Sequence, residues 1–433
     1  MKLSDLVEFN PSIQLRKGTE APFIEMAALP INSRDIGEIA QRTFNGSGSK
    51  FQDGDTLFAR ITPCLENGKG GYVSGLGSGR IGHGSTEFIV FRPLLFSDTE
   101  FVYYLSRLPH FRFFAEKRMS GTSGRQRVAW QSLADYELVD VHPAVRTKVG
   151  RLLGALDDKI ELNRRTNEML EAMAQAIFRD WFVDFGPTRR KLEGATDPFT
   201  IIGGLVQDTE RTQALADLFP AALGDDGLPE GWSLGVASAL VEFNPKEPLK
   251  KGTPAPYSDM SSLPTSGPLA DPPVEREYGS GMRFRNGDAL LARITPCLEN
   301  GKSAFVDFLP DAQTVGWGST EFYVLRSRKG VPAPFAYLLV RHPEFRAAAI
   351  ASMTGTSGRQ RAQVDRLEIF PFVEVPMELL SEFGKLILPM FNKITANGGE
   401  NRTLAATRDL LLPKLMSGEI RLSEAEDLLE AAQ

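Results

Sequence analysis

Residues Val145–Trp181 read VRTKVGRLLGALDDKIELNRRTNEMLEAMAQAIFRDW. Apolar or small side chains recur at Val145, Val149, Leu152, Leu156, Ile160, Asn163, Asn167, Leu170, Ala174, Ile177 and Trp181, in steps of 4, 3, 4, 4, 3, 4, 3, 4, 3 and 4. This is a heptad seam with one extra residue near Leu156–Ile160, a stutter that locally unwinds a supercoil. Neither Pro nor Gly interrupts it after Gly154. The spacing predicts a helix roughly 55 Å long. A rod of that length exceeds the core of one small domain, and its seam needs a partner to cover it. Asn163 and Asn167 on the seam cost stability and set register.

The partner is in the same chain, because the sequence repeats. Val7-Glu8-Phe9-Asn10-Pro11 returns as Val241–Pro245, 234 residues later. Ala59–Lys69 returns unchanged as Ala292–Lys302 at an offset of 233, so one single-residue indel lies on each side of it. Gly84-Ser85-Thr86-Glu87-Phe88 returns as Gly318–Phe322, and Gly121–Arg127 as Gly355–Arg361, both again at 234. The rod recurs too: Ile160, Asn163, Asn167, Leu170, Ile177 and Trp181 map to Ile394, Asn397, Asn401, Leu404, Leu411 and Leu415. Pro389, Gly398-Gly399 and Pro413 interrupt this copy, which predicts two segments, about 377–388 and 393–412, with a kink between. The chain order is globular half, rod, connector (186–231, rich in Gly, Pro and Asp, with a short helix at 209–219), globular half, rod, tail.

Composition sets wide bounds. The 433 residues carry a formal net charge of −6, with 42% hydrophobic and 24% charged residues, an ordinary globular balance. Glu419, Glu424, Glu426, Asp427 and Glu430 against Arg421 concentrate acid in the tail. A small, purely electrostatic nucleic-acid binder is excluded; a local basic surface is not. There is no run of 18 apolar residues and no apolar signal core after Met1, so a cytoplasmic location is expected. Two cysteines do not make a disulfide scaffold.

Each globular half reads as mixed α/β. In the first, 55–61, 71–73 and 87–92 carry strand signals. Residues 99–117 read as one helix with Phe101, Tyr104, Leu105, Leu108, Phe111 and Ala115 on one face. Gly121–Gly124 reads as a loop, and 125–133 as opening with a helical turn.

Three repeated motifs carry candidate chemistry. The first is Thr122, Ser123, Arg125, Gln126 and Arg127 with their counterparts Thr356, Ser357, Arg359, Gln360 and Arg361. Small hydroxyls suit phosphate, Arg grips guanine bidentately and Gln does the same to adenine. Arg112, Lys117 and Arg118 add positive charge beside it. A solvated loop is the plain alternative, which retention of the heptapeptide in both halves disfavours. The second motif offers Arg60, Thr62, Asn67 and Lys69, with Arg293, Thr295, Asn300 and Lys302 in the second half; here a structural β-turn is an equal rival, and Cys64 reads as a small core residue. The third offers Ser85 and Thr86, with Ser319 and Thr320, where a capping role fits as well. Base-reading and phosphate-contacting roles both remain open for these residues. Against this repetition, His83/Trp317 and Gly70/Ser303 differ between the halves.

Catalytic signatures fail. Gly301-Lys302-Ser303 ends like a P-loop, but position 296 is Pro where that motif needs Gly. Gly77–Gly82 fits G-x-G-x-x-G without the strand–turn–helix context. Asp271-Pro272-Pro273-Val274 is similar to the amino-methyltransferase tetrapeptide but lacks its aromatic residue. His83, His110, His142 and His342 have no metal-ligand spacing with the cysteines. From His142 to Phe185 seven basic side chains face seven acidic ones, a balanced coiled-coil surface.

Leu156–Glu168 through Ala176–Phe182 closely resembles the central conserved region of type I restriction–modification specificity subunits. Leu411–Ile420 resembles their C-terminal conserved region, and Leu228-Pro229-Glu230-Gly231-Trp232 the start of a target recognition domain. The resemblance covers nearly the whole chain. It implies an α/β fold: two repeated α/β target recognition domains (1–141 and 229–374) separated by two long antiparallel coiled-coil helices (142–185 and 375–417) about a pseudo-two-fold, with a connector at 186–228 and an acidic tail at 418–433. It implies a non-catalytic DNA-specificity subunit reading a bipartite target in double-stranded DNA. Two methyltransferase (modification) subunits would dock on the helices, with restriction (helicase-nuclease) subunits recruited to the complex. Residues expected at the helix seam and partner surface are Ile160, Asn163, Asn167, Leu170, Ile177, Trp181, Ile394, Asn401, Leu404 and Leu411. S-adenosylmethionine, ATP and Mg²⁺ would belong to the partners, with no cofactor and no metal in this chain. One departure is that the first domain starts at Met1 without the Leu-Pro-x-Gly-Trp lead, leaving its edge less covered. Identical reading segments in both halves predict similar half-sites and a near-palindromic target. A self-contained DNA methyltransferase or restriction enzyme, or a coiled-coil adaptor that does not bind DNA, are the rival readings.

Overall fold

The computed structural model describes residues 1–122 and 124–431, with side chains described to Asp427. It divides into unit 1, Met1–Asn163 with Glu400–Gln433, and unit 2, Arg164–Gly399.

In unit 1 the strand Thr56–Ala59 is buried along its whole length because it has core on both faces. It pairs antiparallel with Phe88–Pro93 and Gly70–Tyr72, and Val7–Phe9 pairs beyond Phe88–Pro93. Alternate strand residues point to opposite faces. Phe58, Ile89 and Phe91 therefore enter one core, with the helices, while Leu57, Ala59, Phe88 and Val90 enter another. A smaller sheet closes the second core, in the order Ala40–Thr43, Glu20–Ile24, Gly82–Gly84, Ser49–Phe51. Val7–Pro11 is retained for a structural reason. Asn10 sits at φ +48°, its N–H donates to Val90 O (2.8 Å), and its Oδ1 accepts from Val90 N–H (2.9 Å), ending the edge strand. Asn244 does the same with Val324.

Unit 2 repeats this plan. Its main sheet runs Val241–Phe243, Phe322–Ser327, Ala289–Ala292, Ser303–Phe305, and its smaller sheet Val274–Glu277, Pro254–Ser258, Gly316–Gly318, Met282–Phe284. It also has a strand pair, Ser233–Val236 with Pro371–Glu374, supplied by the chain that follows Trp232. At the matching place unit 1 has a single bridge, Lys2 to Glu137. The connector is folded: Gly186–Leu192, Pro198–Ile201 and Thr209–Asp217 are helical, and Ile201, Ile202, Leu215 and Phe219 join the unit 2 core.

Several expectations need correction. Residues 99–117 form two helices, Thr99–Arg107 and Pro109–Glu116, because Pro109 starts a new helix and Leu108 before it is extended. All six residues expected on its inner face are nonetheless buried. Arg125–Arg127 is extended rather than helical, since Arg127 bridges both Ser120 and Ile61, and the helix there starts at Trp130.

The first rod is one helix, Pro143–Phe182, and the second is also one helix, Met377–Ser417, not two. Pro389 and Lys385, whose carbonyl the proline leaves without its helical donor, are both exposed residues. Gly398 packs against a side chain: a Cβ there would lie 2.7 Å from Leu269 Cδ1, so a larger residue must displace the Leu269 tip. Within unit 1 the helices run antiparallel. Arg408 pairs with Asp157, Asn401 Nδ2 donates to Ile160 O (3.3 Å), and Asn163 Nδ2 donates to Asn401 Oδ1 (2.9 Å). Within unit 2, Asn397 Nδ2 donates to Asn167 Oδ1 (2.8 Å) and Asn167 Nδ2 to Ile394 O (3.3 Å), again antiparallel. Val145, expected on the seam, is 44% exposed at the rod's start. Among the described residues no helix is long and apolar enough to cross a membrane.

Candidate nucleic-acid interface

The three motifs, far apart in sequence, meet at one place in each unit. Strand Thr56–Ala59 delivers Arg60, whose N–H donates to Glu87 O (3.0 Å), while its carbonyl accepts from Val128 N–H (3.0 Å). Thr62 N–H donates to Gln126 O (3.1 Å), and the Thr62 hydroxyl reaches the same oxygen at 3.4 Å. Arg127 forks onto Glu87 through Nε and Nη2 at 2.7–2.9 Å. Unit 2 reproduces each link: Thr295 to Gln360 O, Arg361 onto Glu321, and Ala362 N–H onto Arg293 O. The Thr62-Pro63 and Thr295-Pro296 peptides are both cis.

This geometry sorts the candidates. Arg127 and Arg361 are committed to carboxylates, which corrects their reading as free base-gripping groups; they brace the loop. Lys69 Nζ donates to Met26 O (2.9 Å) and Lys302 Nζ to Met260 O (2.7 Å), so both amines serve the fold rather than a phosphate. Ser85 and Ser319 hydroxyls accept from the Glu87 and Glu321 N–H at 3.1 Å, the turn-capping alternative. Arg118 lies over the Phe114 ring and bonds its own helix, and its counterpart is Ser352, so it does not recur. Ser123 lies outside the described residues; Ser357 is exposed.

What remains displayed is Asn67, Thr86, Thr122 and Arg125, with Asn300, Thr320, Thr356 and Arg359 in unit 2, all exposed. The Arg125 and Arg359 guanidinium groups have no hydrogen-bond or ion-pair partner among the described residues. Gln126 and Gln360 are half-buried. Arg60 and Arg293 are half-buried and neither Nε makes a hydrogen bond, but Arg293 Nε pairs with Glu321 Oε2 at 3.4 Å. Arg60 and Thr86 line a cavity of about 280 Å³ with Lys50 and Asn10.

The carboxylate that orients the loop was missed by sequence reading, although Glu87 and Glu321 stood in a repeated motif. The hydrogen bonds from Arg361, helped by the positive charge of Arg293, hold Glu321 below the ordinary glutamate range. Behind the site, Arg92 forks onto Asp55 and Arg326 onto Asp288; burial outweighs these partners and raises both carboxyls. Each unit fixes its globular part to a rod: Tyr104 Oη donates to Asp157 (2.5 Å) and Tyr337 Oη to Glu171 (2.6 Å), and burial pushes both phenols well above their ordinary value. Of the expected seam and partner residues, Ile177, Trp181, Ile394 and Leu411 are buried inside their own units, while Ile160, Leu170, Asn401 and Leu404 are half-buried. Asn163 and Asn167 are buried with partners inside the chain. Met169 and Met173, on the outward side of the first rod, are exposed instead. Among the described residues no group of His, Cys, Asp and Glu is arranged to hold a metal.

No family model matches the chain. Among curated proteins it is 24% identical over 420 residues to the type I restriction enzyme HindI specificity subunit of Haemophilus influenzae, covering 86% of this chain and 87% of that one. It is 25% identical over 330 residues to the MjaIX specificity subunit of Methanocaldococcus jannaschii, covering 75% and 70%. Its fold matches the crystal structure of a type I restriction–modification S subunit from M. genitalium, with a TM-score of 0.54 at 12% identity, over 96% of this chain and 95% of that one. Alike in sequence along most of its length and in fold along nearly all of it, the chain is a homologue of the specificity subunits of type I restriction–modification systems.

Proposed function

We propose that this chain is the non-catalytic DNA-specificity subunit of a type I restriction–modification complex. Each unit would read one half of a bipartite target in double-stranded DNA. The observation that carries this reading is the convergence, twice in one chain, of identical segments on a patch that leaves the Arg125 or Arg359 guanidinium without a partner among the described residues, beside exposed Asn and Thr. Guanidinium, amide and hydroxyl groups held by a braced loop are the donors and acceptors that base edges and phosphates require. Because both patches are built from the same residues, the half-sites are alike and the target is near-palindromic. The outward sides of the long helices, with Met169 and Met173 in unit 2, offer apolar surface to two methyltransferase subunits, and restriction subunits join that assembly. S-adenosylmethionine, ATP and Mg²⁺ chemistry belongs to those partners.

The test is DNA binding by the assembled complex carrying Arg125→Ala, Arg359→Ala or both. Each lost bidentate pair is expected to cost about 1–3 kcal/mol of specific binding. Assembly with the partner subunits should be unaffected. Unchanged affinity for the specific site in the double variant would remove this patch from the interface.

A further inference from the structure

Beside the repeated patch, the smaller sheet of each unit turns one face inward and one outward. Ile24 and Phe51 point into the core in unit 1. On the opposite face, register aligns Phe23, His83 and Lys50 in one row across three strands. His83 sits beneath this face, 4% exposed, with its ring 5.0 Å from Phe23 and 5.2 Å from Phe44. The Arg42 guanidinium lies over Phe23 at 4.2 Å.

Unit 2 carries the same face with changed chemistry. The row is Tyr257, Trp317 and Arg283. Trp317 packs against Tyr257 at 4.4 Å and Tyr278 at 5.4 Å; Arg276 lies over Tyr257 at 4.5 Å and Arg283 over Tyr278 at 5.9 Å. Position by position, Phe23 becomes Tyr257, Phe44 becomes Tyr278, His83 becomes Trp317 and Lys50 becomes Arg283. The neighbouring patch hardly changes between units, whereas this face carries four replacements.

The face is continuous with the patch. Strand Gly82–Gly84 runs straight into the Ser85-Thr86 turn, and Lys50 shares a cavity with Arg60 and Thr86. Cations held on aromatic rings suit the negatively charged backbone and exposed edges of DNA. Lysine offers a point charge where arginine offers a planar fork, so the Lys50/Arg283 pair does not make the same contact.

We infer that the outward face of the smaller sheet is a second DNA-contacting surface in each unit, and that its Phe23/Tyr257, Lys50/Arg283 and His83/Trp317 differences are where the two half-sites are told apart. The contacts come from the cations and from the outer rings. His83 and Trp317 are positioning residues: each packs against the two rings beside it.

This rests on the reading of the chain as a DNA-specificity subunit, and the experiment separates the two. The complex with its partner subunits is prepared as wild type, as Arg283→Lys, and as Tyr257→Phe/Tyr278→Phe/Arg283→Lys/Trp317→His, which gives unit 2 the face of unit 1. The modified sequence is then determined by methylation-sensitive sequencing of a random-sequence library. The quadruple variant is expected to change one half-site toward the other and leave the second untouched; Arg283→Lys alone should relax at least one position of the same half-site. Wild-type motifs in both variants would overturn the inference. If the quadruple variant fails to fold, Arg283→Lys decides, because Trp317 and its packing stay in place. A wild-type complex with no sequence preference would instead overturn the DNA-specificity reading itself.

Discussion

Two arginines two residues apart, Arg125 and Arg127, have opposite fates, and the carboxylate of Glu87 is the reason. It anchors Arg127 so that Arg125 is left outward. Removing the anchor while keeping the outward group, as in Glu87→Ala, is expected to loosen the loop and weaken specific DNA binding even though no DNA-facing group is lost. Amide exchange over Ser120–Arg127 measures the loosening, and unaltered exchange would detach the brace from the loop. In unit 2 the same pair makes a pH prediction. Glu321 is held below its ordinary value by Arg361, so its stabilising contribution is full above the unfolded glutamate pKa of about 4.3 and is lost as pH falls through its lower folded pKa. The denaturation midpoint of Glu321→Gln should therefore lie below wild type at neutral pH and approach it in acid. At this scale the sequence was informative about which segments matter and silent about which side chains are spent on the fold. Lys69 and Arg127 look as available on paper as Asn67 and Arg125; only the carbonyl of Met26 and the carboxylate of Glu87, 43 and 40 residues distant in the chain, remove them.

The rods show what periodicity does and does not carry. The heptad count found the long helix and its copy, because a buried stripe must recur every three to four residues. It misjudged the copy at Pro389 and Gly398, whose effects depend on what surrounds them: water at the first, Leu269 at the second. Restoring an ordinary residue at Gly398, as Gly398→Leu, should destabilise unit 2 despite a better helix propensity. The asparagines predicted to set register do pair, Asn397 with Asn167 inside unit 2 and Asn401 with Asn163 inside unit 1. Truncating one member leaves a buried amide oxygen unbonded, so Asn397→Ala is expected to cost about 1–3 kcal/mol in denaturant unfolding. Replacing Asn167 and Asn397 together by Leu should cost less than the single change, while weakening the register constraint. The salt link of Arg408 to the buried Asp157 has no such counterpart: the matching positions in unit 2 are Ala174 and Phe391, both in its apolar core. Arg408→Ala, which strands that carboxylate, should cost about 3–5 kcal/mol.

The duplication itself was the most legible property of the molecule, since identical eleven- and seven-residue segments require no structural interpretation. The near-palindromic target proposed from it is checked by sequencing the modified sites; two unrelated half-sites would contradict it. Less legible was the way the duplicated parts are allotted. Unit 2 is one continuous stretch, Arg164–Gly399, whereas unit 1 joins Met1–Asn163 to Glu400–Gln433, and its core takes in Leu411, Leu412, Leu415, Met416 and Ala425. Deleting the chain from Arg421 onward is thus expected to speed amide exchange in Thr56–Ala59 and leave Ala289–Ala292 unchanged. This allotment also fixes an order of manufacture. The ribosome delivers the first part of unit 1 long before the residues that finish it. At about 5–20 residues per second, the intervening stretch takes on the order of tens of seconds to make. During that interval unit 2 can close while the apolar stripe of Val149 and Leu153 still waits for Leu411 and Leu415. The part made first is the part completed last.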